Sequence, residues 1–389
     1  MSIWGIEVSA RVADTEARMS SAATTLSRRP QLGVLGAALR GLELLVFGAL
    51  PIIFLGLIAF EFAVGFHTFD FHTFWHSGRD VLHGRSPYPH SLPHVADRHT
   101  FRPFVYPAPA AVAMVPLALL PLTVADVLFA VIGVAALVWA LRLLDVRDWR
   151  CYGAAFASIP VFGALGNGAI TPLLVLGAAA LWRKRENTWA AGALLAGLVA
   201  AKVFLWPLGV WLLATRRLRA TALSVAVCVT GTLGAWAILG FAGLRQYPSL
   251  LGKLTDLVGP QSYSLYAFAL SVGAPRTVAH AVVYAAGAAM LATVFVLARR
   301  RDGDRRAFTL ALAAALVLSP VVWPHYLAFL FVPIALARPR LAWIWAAPLV
   351  LWMITGDWSY ADPKLIAPVL ALAGVVLADA VRLRLDARV

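Results

Sequence analysis

Charge is what this chain has least of. Only 13% of its 389 residues are Asp, Glu, Lys or Arg, while 61% are hydrophobic. A soluble fold usually carries about 25% charged residues to cover its surface, so a water-soluble globular protein is excluded. Cysteine is nearly missing as well. Cys151 adjoins a basic loop and Cys228 lies inside an apolar run, so neither a disulfide nor a metal set is expected from them. Alternating polar and apolar strands are also lacking. The apolar runs are continuous, which excludes a barrel. What remains is an all-α polytopic membrane protein, because in lipid only helices or closed barrels satisfy the backbone. No repeat of fixed period and no second soluble domain is visible.

Carboxylates are outnumbered by cations, 19 to 33, for a formal net charge of +14. Nucleic acid would be one reading of that excess, but the location of the charge argues against it. Nine cations (Arg79, Arg85, Arg98, Arg102, Lys202, Arg245, Lys253, Arg276 and Lys364) fall in outer segments or at the outer rim, and the others cluster in short loops that parity places inside. Twelve spans are expected, near 41–65, 122–144, 151–166, 169–182, 188–201, 203–215, 220–241, 277–298, 307–322, 326–337, 341–355 and 363–381, with both termini cytoplasmic. Several fall short of the roughly 20 residues of a straight crossing, which is tolerated where helices line a cavity. Residues 1–40 read as a cytoplasmic tail: the first 30 are rich in Ser, Ala and Arg and lack the apolar core of a signal peptide. Residues 41–389 form one membrane domain. The apolar stretch 106–120 is expected to lie along the outer interface, started by Pro107 and closed by Pro121, because making it a span would put the Arg142–Arg150 cluster outside. Residues 66–121 then form the first outer loop, and 242–276 a smaller one.

That first loop holds most of the polar chemistry. It contains seven of the nine histidines, from His67 to His99, and near its start Asp70. A carboxylate at the mouth of a membrane cavity is costly unless paired or used, and partial burial raises its pKa toward that of a general base. The bland reading is that Asp70 caps an interfacial helix beginning DFHTFWHSGRDVLHG. Asp80 reads as a solvated partner of Arg79 or Arg85. Glu61, in the last turn of the first span, is placed to line the cavity. His72 and His76 have the i, i+4 spacing of metal ligands, but no obvious Glu or Cys completes a zinc motif, so no metal or other cofactor is expected.

Two residues elsewhere stand out. Lys202 sits between two short apolar limbs of about 13 residues, each flanked by a basic cluster, so the chain must go out and return with Lys202 near the outer tip. A Lys there needs an anion, which is a phosphate or an internal carboxylate. His325 lies in LSPVVWPHYLAF, where Pro320 and Pro324 bracket a helix break. Such a His is either a hydrogen-bonded structural residue or a polar group facing a cavity.

Taken together, several segments resemble glycosyltransferase family 87, the polyprenyl-phosphate-mannose-dependent mannosyltransferases of GT-C fold. They are Asp70-Phe71, Phe74-Trp75, Leu82, Gly84 and Ser86-Pro87-Tyr88; Tyr106-Pro107, Pro116 and Leu120-Pro121; Gly166-Asn167-Gly168; Ala191-Gly192 through Gly197 to Lys202, Pro207 and Arg216-Arg217; and Leu318-Ser319-Pro320 through Trp323 to His325. The resemblance implies two interfacial helices in the first outer loop and an acidic residue in the first of them. It departs from the family pattern at Ala108, where a second Pro is usual, and at Asn167, where a Gln is common.

The activity it implies is inverting transfer of a sugar, foremost mannose, from a polyprenyl phosphate to a glycolipid or glycan acceptor at the outer face of a bacterial plasma membrane. Asp70 would be the base, and His325 would act with Lys202 to stabilise the charge on the departing phosphate. Lys202, Arg102 and Arg276 would hold the donor phosphate, and Glu61, Trp75, Tyr88, Tyr106, Asn167 and Trp323 would line the cavity. The partners expected are the lipid donor, the acceptor and membrane lipids, without nucleic acid. A lipid or solute transporter would share the broken helices and the buried charge, but transporters usually carry two related halves, and none is visible. A GT-C enzyme using another polyprenyl-phosphate sugar is the variant reading.

Overall fold

The structure, a computed structural model, describes residues 36–64, 68–88, 104–354 and 362–382. Among them there is no strand, as the continuous apolar runs require. Among the described residues five helices are long and apolar enough to cross a membrane unaided: α1 (Gly36–Ala63), α5 (Leu122–Leu143), α11 (Leu218–Ile238), α14 (Arg276–Ala298) and α17 (Pro363–Arg382). In α1, α11 and α14 most of the apolar window lies outside the core, which is the surface a lipid-facing helix presents. The other expected spans are shorter or broken, so the count of twelve rests on those short pieces.

Their breaks have local causes. The expected span 151–166 divides into α6 (Trp149–Phe156) and α7 (Ile159–Gly166), with Ser158 extended ahead of Pro160. The expected interfacial helix 106–120 divides at Met114 into α3 (Ala108–Ala113) and α4 (Val115–Ala118), because Pro116 starts the second. The outer segment 242–276, expected as a loop, contains α12 (Tyr247–Val258) and α13 (Leu265–Ser271). Continuous apolarity does not reveal α12. Its pattern YPSLLGKLTDLV buries only Leu250 and Val258 fully, a half-polar helix with Pro248 in its first turn.

Helix α2 (Phe69–Leu82) follows α1 and buries Phe71, Phe74, Ser77 and Gly78 along one stripe. At Gly78 it comes so close to Met114 and Ala118 that a Cβ would sit 2.8 Å from the Met114 carbonyl oxygen. Glycine therefore sets how α2 lies on α3 and α4. Elsewhere α8 (Thr171–Lys184) packs on α5, α9 (Thr188–Ala201) on α11, and α15 (Gly303–Leu318) on α14. After Lys202 and a 3-10 turn (Val203–Leu205) the chain returns through α10 (Pro207–Ala214). The limbs meet again at the far end, where Arg217 bonds Glu186.

That end is held by a polar clasp centred on Asp304, at the start of α15. Its carboxylate accepts hydrogen bonds from Arg217 at 3.0 and 2.9 Å, Arg185 at 2.9 Å and the Trp211 indole at 2.8 Å. The 16-residue α15 rises from the clasp, about 24 Å at 1.5 Å per residue. Its other end leads into a 3-10 segment (Pro324–Leu330) and α16 (Phe331–Ala337). One apolar core, reaching from Ile58 to Val376, joins these elements.

Candidate active site

Opposite the Asp304 clasp, three segments far apart in sequence converge. Asp70 stands in the first turn of α2, Lys202 at the α9–α10 turn, and His325 at the start of the 3-10 segment.

Asp70 does not cap its helix. Thr68 is the extended N-cap residue, and it spends its hydroxyl on buried Asp126 of α5 at 2.5 Å instead of on the helix. The Asp70 amide donates to the Asn167 carbonyl at 2.9 Å. The turn after α7 thus grips the base of α2. Gly168 makes this possible: its φ is +62°, and a Cβ there would meet the Thr68 side chain and Phe71 Cβ at under 3 Å. Phe71 stacks on Phe129 of α5 at 4.6 Å. With its backbone satisfied by others, the Asp70 carboxylate stays available, 20% exposed. Burial raises it to about 6, opposed by the nearby Lys202 cation.

His325 is carried by an extended stretch after α15. Ser264 donates to the Pro320 carbonyl at 2.9 Å, and the Tyr263 amide to the Val322 carbonyl at 2.8 Å. His325 Nε2 is buried without a hydrogen-bond partner and lies 3.9 Å from Asp70 Oδ2. That is too long for a direct bond, yet one hydroxyl oxygen about 2.8 Å from each could bond both.

Lys202 is buried, in extended conformation between its two limbs. No ion pair among the described residues includes it. Its ammonium lies over aromatic faces, 3.9 Å from the Tyr326 ring centre, 5.1 Å from Tyr106 and 5.9 Å from Phe204. Phe204 and Tyr326 stack nearly parallel at 5.4 Å. Neither was visible as a site residue in sequence. Tyr326 directly follows His325, and Phe204 follows Lys202 by two, so adjacency was their only signal. Among the described residues no group of three His, Cys, Asp or Glu is placed to hold a metal ion.

The remaining expected site residues divide. Tyr106 reaches the site, and Asn167 contributes through its carbonyl. Tyr88 is a support: its ring stacks on Trp236 at 4.6 Å and its hydroxyl donates to the Tyr106 carbonyl at 2.6 Å. Tyr247 of α12 likewise donates to the Val105 carbonyl at 3.1 Å, fixing the same strand of chain. Trp323 is half-buried, and its carbonyl accepts from the Tyr326 amide. Trp75 turns away, because it stands on a different face of α2 from Asp70; its indole donates to the Leu120 carbonyl at 3.1 Å. Glu61 is exposed on α1, on the outside of the fold rather than toward a cavity. Arg276 is paired with Asp256 at 3.1 Å, both exposed, and does not join Lys202. Arg102 lies outside the described residues. Asp80 pairs with Arg85 at 2.9 Å.

A family model described as Glycosyltransferase family 87 matches residues 104–324. A polyprenol-phosphate-mannose-dependent alpha-(1-2)-phosphatidylinositol pentamannoside mannosyltransferase of Mycolicibacterium smegmatis is 29% identical, over 66% of this chain and 62% of its own length. The protein of the same description from Mycobacterium tuberculosis is 30% identical, over 65% of this chain and 59% of its own. The chain thus matches about six-tenths of the length of these curated relatives. No solved structure matches it.

Proposed function

The chain belongs to glycosyltransferase family 87, and from that premise we propose that it moves a mannosyl group from a polyprenyl-phosphate donor to a lipid-linked or glycan acceptor. The observation that carries this reading is the convergence of Asp70, His325 and Lys202 at one site. The donor and the phosphatidylinositol-mannoside acceptor are those in the relatives' descriptions. Asp70, raised yet still ionised at neutral pH, is suited to a general base.

In the proposed step Asp70 takes the proton from an acceptor hydroxyl. The hydroxyl oxygen attacks the anomeric carbon in line as the carbon–oxygen bond to the lipid phosphate breaks, and the phosphate leaves with the bonding pair. Configuration inverts, so a β-linked donor yields an α-linked product. A phosphate leaving group needs no protonation, so one carboxylate suffices where a glycosidase uses two. Lys202 balances the charge that builds on the phosphate, with the orphaned His325 nitrogen bonding at the reacting centre. No metal is assigned to the step. The site belongs at the outer face of a bacterial plasma membrane, with both termini cytoplasmic, α2 to α4 along the interface and the short helices completing twelve spans.

The test is transfer in proteoliposomes given labelled polyprenyl-phosphate mannose and phosphatidylinositol mannosides. Asp70→Asn should insert and melt like the parent and lose transfer by about a thousandfold or more, within the range that removal of catalytic groups produces. Near-parental transfer in that variant would remove Asp70 as the base.

A further inference from the structure

The histidines of the first outer loop take no part in the chemistry above, and two of them meet on one face of α2. His72 and His76 are one turn apart on α2, both exposed, with Nε2 atoms 3.0 Å from each other. At 100° per residue they stand about 200° and 240° around the helix from Asp70, so the pair faces away from the reacting groups. The rings meet edge to face with centres 4.4 Å apart, which leaves the two nitrogens converging on one point. Nearby His83 is turned elsewhere, its Nδ1 on the Arg79 carbonyl at 2.6 Å.

That separation carries geometric information. Two metal–nitrogen bonds of about 2.0–2.1 Å at 90° put their nitrogens about 2.9 Å apart, whereas a tetrahedral angle puts them about 3.4 Å apart. The observed 3.0 Å is that of a hydrogen bond between the rings, and neighbouring corners of a square or octahedral ion could be filled from it with little movement. We propose that His72 and His76 form a bidentate site for a divalent transition-metal ion of square geometry, Cu²⁺ above all and Ni²⁺ more weakly. The order follows from imidazole ligation and the rising affinity of first-row ions toward copper. The ion takes the place of the hydrogen bond between the two rings, and it cross-links one turn of α2. Bound there, it stabilises the folded chain by mass action without touching the site at Asp70.

The experiment uses the full chain purified in detergent with its affinity tag removed and loaded with CuSO₄. Electron paramagnetic resonance should give one axial Cu²⁺ species per chain with nitrogen hyperfine structure, and the melting temperature should rise with copper. His72→Ala and His76→Ala should each weaken that site at least about tenfold, the scale of loss for a perturbed metal shell, and their double variant should show no copper-dependent melting shift. Asp70→Asn and a His90→Ala/His94→Ala/His99→Ala variant should keep both signals, and His72→Ala/His76→Ala should keep mannosyl transfer in chelator. An unchanged copper species in the double variant would overturn the site, as would its loss in the His90/His94/His99 variant alone. Failure of Asp70 as base would leave it standing.

Discussion

At the scale of single residues, Asp70 and Lys202 set each other's behaviour. Burial lifts the Asp70 carboxyl to about 6, and the Lys202 cation is the force holding it from rising further. A general base works ionised, so transfer should fall roughly tenfold per unit below about pH 6, and because burial lowers Lys202 to about 7 it should fall again on the alkaline side as that cation is lost. Lys202→Met removes the cation, so the acidic limb should move to higher pH while the maximal rate drops. A kcat/KM profile of both proteins checks the sign: a limb that stayed in place would mean another group titrates. Asp70, Lys202 and His325 were all legible as residues, because a carboxylate, a cation and a His are conspicuous in so apolar a chain. Their surroundings were not. The Thr68–Asp126 bond and the aromatic faces of Tyr326 and Phe204 around Lys202 join residues far apart in the chain, or types too common there to draw notice.

At the scale of elements, the site depends on how the turn after α7 seizes the start of α2. Gly168 has a left-handed backbone and no room for a Cβ against Thr68 and Phe71. Gly168→Ala should cost about 1–2 kcal/mol from the backbone term alone, and more from the displacement of α2. Transfer should fall over tenfold in protein that still inserts, measured as kcat beside a thermal melt. An active, equally stable Gly168→Ala protein would show that the grip on Asp70 is dispensable. A helix starting near Asp70 was readable in sequence, and so was the break at Lys202 from the basic clusters on both sides. α12 was not readable, because its stripe is half polar and falls below any test for a continuous apolar run. The same element corrects the picture of the rim: Tyr247 on α12 holds Val105, and Tyr88 holds Tyr106.

At the scale of the whole molecule, polar chemistry is divided between two ends about one α15 length apart. The Asp304 clasp gathers the ends of α8, α10, α11 and α15 at one end, and Asp70, Lys202 and His325 meet at the other. Asp304 is partly exposed, so its charged hydrogen bonds are worth less than fully buried ones. Asp304→Asn should destabilise the fold by about 1–3 kcal/mol and lower the melting temperature, with the pH limb unmoved. Orientation has its own test in a chain whose native cysteines are replaced. An impermeant maleimide should label His83→Cys in intact cells, and Lys184→Cys only after permeabilisation. The reverse pattern would place the Asp70 end inside. The positive-inside count carries the expectation of this polarity, since arginines confined to one side of a bilayer need no tertiary contact to be read.

Composition alone determined that this is a helical membrane protein, because a chain 61% hydrophobic and 13% charged has no other way to satisfy its backbone and its surface. Loop charge determined the expected polarity, and a carboxylate near the end of the first span nominated the base. Tertiary structure decided which cations belong to the site. Arg276 is as cationic as Lys202, but it pairs with Asp256 at an exposed surface, while Lys202 is buried against ring faces within the field of Asp70. It likewise turned Trp75 and Glu61 away and brought Tyr326 in. The reason is physical: residue type and spacing specify what a side chain can do, but what it faces depends on how helices distant in sequence pack.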